Sequence, residues 1–432
     1  MNNNPIDILQ NLIRFDTTNP PGNEKDCIGY INRILKDAGF ETQIFAKDPN
    51  RPNLLTRLKG EGKTNPLLLY GHVDVVTTEN QIWKYPPFEA KIADGYLWGR
   101  GALDMKGQVA MMISALLKAK AKNITPSGDI VLAMVSDEEQ GSKYGVKYLV
   151  DNHPYLFEGI KYAIGEFGGF TFYVGKTKFY PVMVSEKYPC FIKVMVRGTS
   201  GHGSLPLHGG AVAKTGTIIT KLDRYSMPVH ITEIIKLQLN TLASNLKFPT
   251  NFFIKLLKIP IFTNKVLKLL GSKAGVFDPL LHNTVNIVSI HGGEQIYGIP
   301  SKIEILLAAT LLPGYTADDI ISELKKVIGS EYEYEIVNFE TVPYKLDKGL
   351  FGILKDILHK NDPEGIILST LMPGPTDGRF LSRLGIQTYG FTLMKLPEEM
   401  NFSKLLHNAD ERIPIEAIEF GTNSIYELIK GF

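Results

Sequence analysis

Cysteine is almost absent from this sequence, which contains only Cys27 and Cys190 among 432 residues. Two thiols outside any CxxC pattern cannot form a disulfide framework, so we expect a reducing compartment. The sequence also lacks an apolar stretch of about 18 residues, so we expect no transmembrane helix. The N-terminal segment has neither the basic head nor the apolar core of a signal peptide. We therefore expect a cytoplasmic protein.

A charge excess of either sign is missing as well. Lys and Arg number 47 against 45 Asp and Glu, which gives a net charge of +2 and does not indicate a nucleic-acid partner. The composition, 44% hydrophobic and 21% charged, is typical of a globular protein. A chain of this length predicts two or three domains.

Two common catalytic motifs are also missing. No GxSxG elbow of a serine hydrolase is present. The GKT triplet at 175–177 resembles the end of a P-loop, but Phe170 stands where that loop requires glycine.

Short apolar runs alternate with helical patterns in the first part of the chain. The runs predict strands at 67–70, 130–135 and 161–164, and the helical spacing predicts helices at 6–14, 25–38 and 105–121. This alternation predicts an α/β domain with a mostly parallel sheet and helices on both of its faces.

A second pattern begins near residue 187. Alternating strands are predicted at 190–197, 284–290 and 302–308, with a helix at 316–328. We therefore expect an inserted α+β domain over 187–341. The first domain would comprise 1–186 and 342–432, the second segment contributing helices at 348–360 and 414–430.

Candidate metal ligands follow the predicted strands. His72 and Asp74 lie two apart, so in extended backbone they point to the same side. Taken singly, the histidines and acids that follow the strands are more typical of a core histidine, a helix N-cap or a solvated turn. Their shared place at strand ends, where open α/β sheets bind ligands, favours a divalent metal such as zinc. One bridging carboxylate would hold two ions about 3.5–4 Å apart. The other candidates are Asp104, Glu138, Glu139, Glu166 and His407.

Six motifs occur in a specific order, namely GHVD (71–74), GRGALDMKG (99–107), DEEQG (137–141), GEFGG (165–169), GTSGHGSLP (198–206) and HNADERI (407–413). This set resembles the zinc metallopeptidase family of aminoacylase, acetylornithine deacetylase, succinyl-diaminopimelate desuccinylase, carnosinase and glutamate carboxypeptidase. The resemblance extends from about residue 5 to the end of the chain.

The resemblance implies two Zn²⁺ ions per chain, with Co²⁺ or Mn²⁺ as possible substitutes. His72 and Glu166 would bind one ion, and Glu139 and His407 the other. Asp104 would bridge both, and its bond to the next residue would be a cis peptide.

The same resemblance implies the catalytic residues. Glu138 would be the general base for attack by a metal-bridging hydroxide, and Asp74 would orient His72. Since adjacent residues of an extended segment point in opposite directions, Glu138 and Glu139 should have different roles. His202 would stabilise the oxyanion, often from the partner subunit of a homodimer formed through the inserted lid domain.

The expected function is hydrolysis of an amide bond in a small peptide or an N-acyl amino acid. The sequence does not separate a carboxypeptidase or dipeptidase from an aminoacylase. A non-catalytic relative that serves as a binding or dimerisation module is the alternative. It is disfavoured because all five ligand positions and Glu138 are present.

The substrate site departs from the family pattern at one position. Many members have an arginine before the LLPG turn that holds the substrate carboxylate, whereas this sequence has Thr310. Either Arg379 or another cation replaces it, or the substrate lacks a free carboxylate there. Asn286 matches a polar family residue and could hydrogen-bond the substrate.

The segment 240–280 is apolar and rich in lysine, with no acid between Glu233 and Asp278. Buried lid helices are the first interpretation, and an apolar wall for an acyl chain or large side chain is the second. Binding to a membrane surface ranks last, and membrane contact is not expected.

Overall fold

The computed structural model of the chain describes residues 4–293, 295–340 and 347–432, apart from the side chains of 272–274. The chain divides into two compact units. Unit 1 comprises Met1–Val184, Lys345–Thr370 and Thr376–Phe432, and unit 2 comprises Ser185–Tyr344 and Leu371–Pro375. The domain predicted at 187–341 does not include residues 371–375, which belong to unit 2.

The helices in chain order are α1 (Pro5–Arg14), α2 (Lys25–Asp37), α3 (Lys106–Ala121), α4 (Val146–Asn152), α5 (Ala211–Arg224), α6 (Glu233–Asn245), α7 (Thr250–Leu256), α8 (Pro260–Leu270), α9 (Asp278–Leu281), α10 (Ala317–Ile328), α11 (Phe351–Asn361), α12 (Gly378–Ser382), α13 (Phe402–Leu405) and α14 (Ile415–Gly431). Short 3₁₀ turns occur at Glu138–Gln140, Pro154–Phe157 and Gly271–Val276.

The strands are β1 (Thr42–Ala46), β2 (Pro52–Leu58), β3 (Leu67–His72), β4 (Lys91–Ala93), β5 (Tyr96–Trp98), β6 (Ile130–Val135), β7 (Tyr162–Gly165), β8 (Phe172–Val174), β9 (Thr177–Glu186), β10 (Tyr188–Arg197), β11 (Gly201–His202), β12 (Thr284–His291), β13 (Gly298–Ile299), β14 (Lys302–Leu311), β15 (Glu333–Phe339), β16 (Ile366–Met372), β17 (Gln387–Gly390) and β18 (Arg412–Pro414).

Unit 1 is built on a sheet with the strand order β1-β2-β6-β3-β7-β17-β9-β16, and β8 pairs with β9. Its central strands β6, β3, β7 and β17 are parallel. Helix α3 lies between β3 and β6 in the chain, and α4 lies between β6 and β7, as is usual for crossovers between parallel strands. Strands β1, β2 and β9 pair antiparallel at the flanks. The predicted α/β sheet is confirmed, with a parallel centre.

Helices cover both faces of this sheet. Leu68 and Tyr70 of β3 pack in one core with Val146 and Leu149 of α4. On the other face, an added Cβ at Gly71 would lie 3.0 Å from Val109 of α3, so α3 approaches β3 closely. Helix α3 packs between α1 and α14 and is buried on nearly all sides, which explains why its apolar residues are not confined to one face.

Unit 2 contains an antiparallel sheet with the order β12-β14-β10-β15. Alternate side chains of β10, such as Ile192 and Val194, are buried in a core that includes Ile218 of α5 and Ile320 of α10. A capping box at Thr316 begins α10. These elements form the predicted α+β insertion. Among the described residues, no helix has the length and apolar character needed to cross a membrane.

Candidate metal centre

The predicted ligands of unit 1 lie at the ends of adjacent parallel strands. His72 is the last residue of β3, Glu166 follows β7 directly, and the turn that carries Glu138 and Glu139 follows β6. Since β6, β3 and β7 are neighbours, their carboxyl ends meet at one edge of the sheet. Asp104 immediately precedes the N-cap of α3.

Asp104 lies between two sets of candidate ligands. Its Oδ1 is 3.3 Å from His72 Nε2, which is in turn 3.5 Å from Glu166 Oε2. Its Oδ2 is 3.2 Å from His407 Nε2, which is 3.5 Å from Glu139 Oε2. Each oxygen of one carboxylate thus faces a different histidine and acid. The Asp104–Met105 peptide bond is cis, as the resemblance implies.

A local contact orients His72. Its Nδ1 lies 3.0 Å from the backbone carbonyl oxygen of Asp74 and 3.6 Å from the Asp74 carboxylate. A proton on Nδ1 would therefore be donated to the carbonyl, which leaves Nε2 as the basic nitrogen. Nε2 is buried and has no hydrogen-bond partner among the described residues, as expected of a nitrogen that ligates a metal.

The Asp74 carboxylate also makes contacts that the sequence analysis did not predict. It accepts the backbone N–H groups of Glu138 and Glu139, each at 3.1 Å. It also lies beside the His72 ring at the longer distance of 3.6 Å. Asp74 therefore holds the turn that carries the two glutamates, in addition to its place beside the imidazole.

The backbone of Glu138 and Glu139 corrects one premise of the sequence analysis. These residues form a 3₁₀ turn after Asp137, which has a left-handed φ of 70°, and they are not extended. The two side chains nevertheless join different groups. Glu138 lies with His72 and Glu166, and Glu139 lies with His72 and Asp104.

The charge of the cluster fits a divalent cation. Burial, and then the charge of Glu166, raises the pKa of Glu138 well above its ordinary value. Burial, and then the charge of Asp104, raises the pKa of Glu139 to about 8. Buried carboxylates that repel one another in this way are stabilised when a cation binds among them. Imidazole and carboxylate ligands within 4.8 Å of one another are also the donors that zinc accepts.

A buried polar chain that the sequence analysis missed supports the Asp137 turn. Asn19 donates to Asp74 Oδ2 at 2.9 Å and to Asp137 Oδ1 at 3.0 Å. Arg51 pairs with Asp137 at 2.9 Å and with the buried Glu24 at 2.6 Å. Asn19 and Glu24 lie in the segment TNPPGNE. The composition of this segment indicates only a turn, so the sequence gives no sign of the buried contacts.

A second missed contact fixes the loop that carries Asp104. Glu411 is fully buried and accepts the backbone N–H groups of Gly101, Leu103 and Asp104 at 3.0, 2.7 and 3.1 Å. It also pairs with the buried Arg100 at 2.7 Å. Glu411 belongs to the HNADERI motif, in which only His407 was assigned a role.

Arg379 is a buried residue of α12 in unit 1. Its Nη1 donates to the carbonyl oxygen of Thr376 at 2.7 Å, and its guanidinium lies 4.2 Å from the centre of the Phe380 ring. The adjacent Asp377 is buried, accepts a hydrogen bond from the Ser142 hydroxyl, and has a pKa that burial raises to about 7. The residue predicted to hold the substrate carboxylate therefore has a buried acid as its neighbour.

The other predicted residues belong to unit 2. His202 is exposed on β11, where its Nδ1 lies 2.7 Å from the Ser204 hydroxyl. Asn286 is exposed on β12 and stands opposite Ala308 of β14. Thr310, at the position of the family arginine, is half-buried on β14 opposite Thr284.

Residues 68–431 match the sequence pattern of Peptidase family M20/M25/M40. The chain belongs to this family. It is similar to the N-fatty-acyl-amino acid synthase/hydrolase PM20D1 of Bos taurus, with 25% identity over 93% of this chain and 81% of that protein. It is also similar to the probable carboxypeptidase S-like 2 of Dictyostelium discoideum, with 26% identity over 85% and 71% of the two chains.

The M20 metallo-carboxypeptidase Sso-CP2 of Sulfolobus solfataricus has the same fold. The TM-score is 0.69 at 19% identity, and the alignment covers 99% of this chain and 98% of that one. The M20/M25/M40 chain described here is thus a metallopeptidase-type hydrolase that acts on amide bonds, and a purely non-catalytic role is not favoured.

Proposed function

We propose that this hydrolase uses two zinc ions to cleave an N-acyl amino acid or a short peptide. The observation that carries the proposal is the position of Asp104. Its two oxygens lie 3.3 and 3.2 Å from the Nε2 atoms of His72 and His407, which belong to separate candidate ligand sets, as a bridging ligand requires. His72 and Glu166 would hold one ion, and His407 and Glu139 the other.

Bound cations would supply Lewis-acid polarisation of the carbonyl and a lower pKa for the attacking water. Glu138 would take the proton from that water as its oxygen attacks the carbonyl carbon. The same carboxyl group would then give the proton to the nitrogen as the carbon–nitrogen bond breaks. Burial is the main cause of the raised pKa of Glu138. A raised pKa supports the role of this carboxyl group, which must hold a proton and then release it.

Asp74 would keep Glu138 in place through the backbone N–H bond at 3.1 Å. This contact supports a division of work within the GHVD motif, in which His72 binds metal and Asp74 fixes the base. The proton transfer depends on that position, because a general base must lie within hydrogen-bond reach of its proton.

An N-acyl amino acid with an apolar acyl group is the first substrate class to test. A relative whose name denotes hydrolysis of N-fatty-acyl amino acids supports this choice, and a carboxypeptidase-like relative supports peptides as the second class. Arg379 would bind the substrate carboxylate in place of the arginine that Thr310 replaces. Asn286 would add a hydrogen bond to the substrate.

The decisive experiment is a hydrolysis panel of N-acyl amino acids and dipeptides on zinc-reconstituted protein. Glu138→Gln should lower kcat by about 10²–10⁴-fold or more with metal content unchanged. Glu158→Gln, at an exposed position, is the matched control and should keep full activity. Near-normal turnover in Glu138→Gln would refute the mechanism.

We also propose a homodimer formed through unit 2, in which His202 acts on the partner's substrate. The exposed ring of His202 supports a role outside its own unit's core. Mixing Glu138→Gln with His202→Ala should then restore about a quarter of wild-type activity. Half of randomly mixed dimers are mixed pairs, and each has one intact site. A monomeric mass, or no restored activity, would contradict this part.

A further inference from the structure

The lysine-rich segment of unit 2 has a charge unlike the rest of the chain. Residues 234–277 contain seven lysines and no arginine, aspartate or glutamate, which gives a net charge of +7. Since the whole chain has a net charge of +2, the remaining residues together carry −5. The positive charge is thus concentrated in one short region.

Helix α8 has two apolar sides, and only one of them is buried. Val266 and Leu267 lie in the interior of the unit. Ile261 and Leu269 are 73% and 70% exposed, and they share a side because residues eight apart lie on one helix face. Lys265 and Lys268 are exposed on that same side, four and seven residues after Ile261.

The exposed apolar surface continues along the segment. Phe248 before α7 is 80% exposed, and Phe252 within α7 is 49% exposed. Lys247 and Lys255 are exposed beside them in sequence. Single exposed apolar residues are common on proteins, but a cluster of large ones within 22 residues indicates an interaction surface. Packing inside the unit therefore does not account for all of the apolar residues of this segment.

The positive charge of the segment indicates which kind of partner would bind it. In a symmetric contact between two copies, each copy would present the same +7 segment to the other, and the lysines would repel. An anionic lipid surface attracts clustered lysines, and its interfacial layer accepts phenylalanine, isoleucine and leucine. Helices that lie in such an interface combine lysines, which meet the anionic headgroups, with phenylalanine and leucine side chains, which enter the apolar layer.

We propose that this region is a peripheral binding face for anionic lipid surfaces. The lipid-binding face is defined by Phe248, Phe252, Ile261, Lys265, Lys268 and Leu269. With this proposal we favour the interpretation that the sequence analysis ranked last, because these side chains are exposed. The proposal is independent of the hydrolytic site, because none of these six residues is among those proposed to bind metal or substrate.

Sedimentation of the full-length protein with lipid vesicles tests this proposal. Vesicles that contain about 30% phosphatidylserine should bind the protein, and pure phosphatidylcholine vesicles should bind it far less. Lys265→Gln with Lys268→Gln should lower the partition coefficient about 30-fold, since each lysine contributes roughly fivefold. Ile261→Gln with Leu269→Gln should lower it at least about tenfold.

The matched control changes the same residue types on α11 of unit 1. Ile353 and Lys355 are both exposed there, and Ile353→Gln with Lys355→Gln should leave vesicle binding unchanged. Circular dichroism and hydrolysis of a small soluble substrate should be the same in wild type and in all of these variants. Loss of lipid binding is therefore distinguishable from failure of the proposed hydrolytic function.

Three results would overturn the proposal. The first is no binding of wild-type protein to anionic vesicles, and the second is equal binding by wild type and both face variants. The third is a halved mass of the Ile261→Gln, Leu269→Gln variant in light scattering without lipid, which would assign the face to a second copy of the chain.

Discussion

Replacing Glu411 with glutamine should weaken the metal centre without removing any proposed ligand. Oε1 of Glu411 accepts the N–H groups of Leu103 and Asp104, and Oε2 accepts Gly101 N–H and an Arg100 N–H. Glutamine has one oxygen, so its amide NH₂ must face two donors in either orientation.

The expected cost follows from these contacts. Two buried donors lose their acceptor at about 1–3 kcal/mol each, and the buried Arg100 loses its opposite charge. We expect Glu411→Gln to lower the free energy of unfolding by about 3–5 kcal/mol, measured by urea denaturation of the metal-free protein. Because Asp104 moves with its loop, metal affinity should fall about 10–100-fold in a competition titration with a chelator.

Asp129→Asn is the control for this prediction. Asp129 also pairs with an arginine, Arg57, and accepts a backbone N–H, that of Gly60, both at 2.8 Å. It immediately precedes β6, at the opposite end of that strand from the glutamate turn, and it is partly exposed. The Asp129→Asn substitution should cost less than about 1 kcal/mol and leave metal affinity unchanged. Equal metal affinity in wild type and Glu411→Gln would refute the prediction that Glu411 positions Asp104.

Three further predictions follow from the same structure. Asp104→Ala should remove both metals, whereas His407→Ala should remove chiefly one, as elemental analysis would measure; two metals retained in Asp104→Ala would contradict the bridge. Arg379→Ala should lower kcat/KM about 10- to 150-fold on free-carboxylate substrates and much less on the corresponding amides. If the ratio of kcat/KM on acids to kcat/KM on amides did not change, Arg379 would not be the residue that binds the substrate carboxylate. Burial raises the pKa of Cys27 and of Cys190 to about 11, so roughly one thiol in a thousand is ionised at pH 8. Native protein should therefore resist iodoacetamide, and rapid labelling before unfolding would contradict this.

The strands and the candidate ligands at their ends could be predicted from local sequence. The apolar run before His72 is one of the central parallel strands, and the run before Glu138 is its neighbour β6. Such strands are buried on both faces, so their sequences are continuously apolar and easy to recognise. The sequence does not indicate that β17, from the end of the chain, lies beside β7.

The residues that support the centre could not be predicted in the same way. Glu411 contacts Asp104 across 307 residues of sequence, and Asn19 contacts Asp137 across 118. Neither residue differs in type from an ordinary turn or surface residue, so only the folded chain reveals the contact. Likewise, hydrophobic periodicity cannot distinguish the buried Leu267 from the exposed Leu269.

The chain leaves unit 1 for unit 2 at residue 185, and it does so a second time at residue 371. A chimera that exchanged only Ser185–Tyr344 with a relative would keep the native Leu371–Pro375 beside a foreign partner. The backbone N–H of Lys187 donates to the carbonyl of Met372, so that short segment is bonded to the start of the exchanged region. A chimera that carries unit 2 intact should therefore exchange both segments together. Natural recombination of the unit has the same requirement, because two separate segments of the gene must be exchanged together.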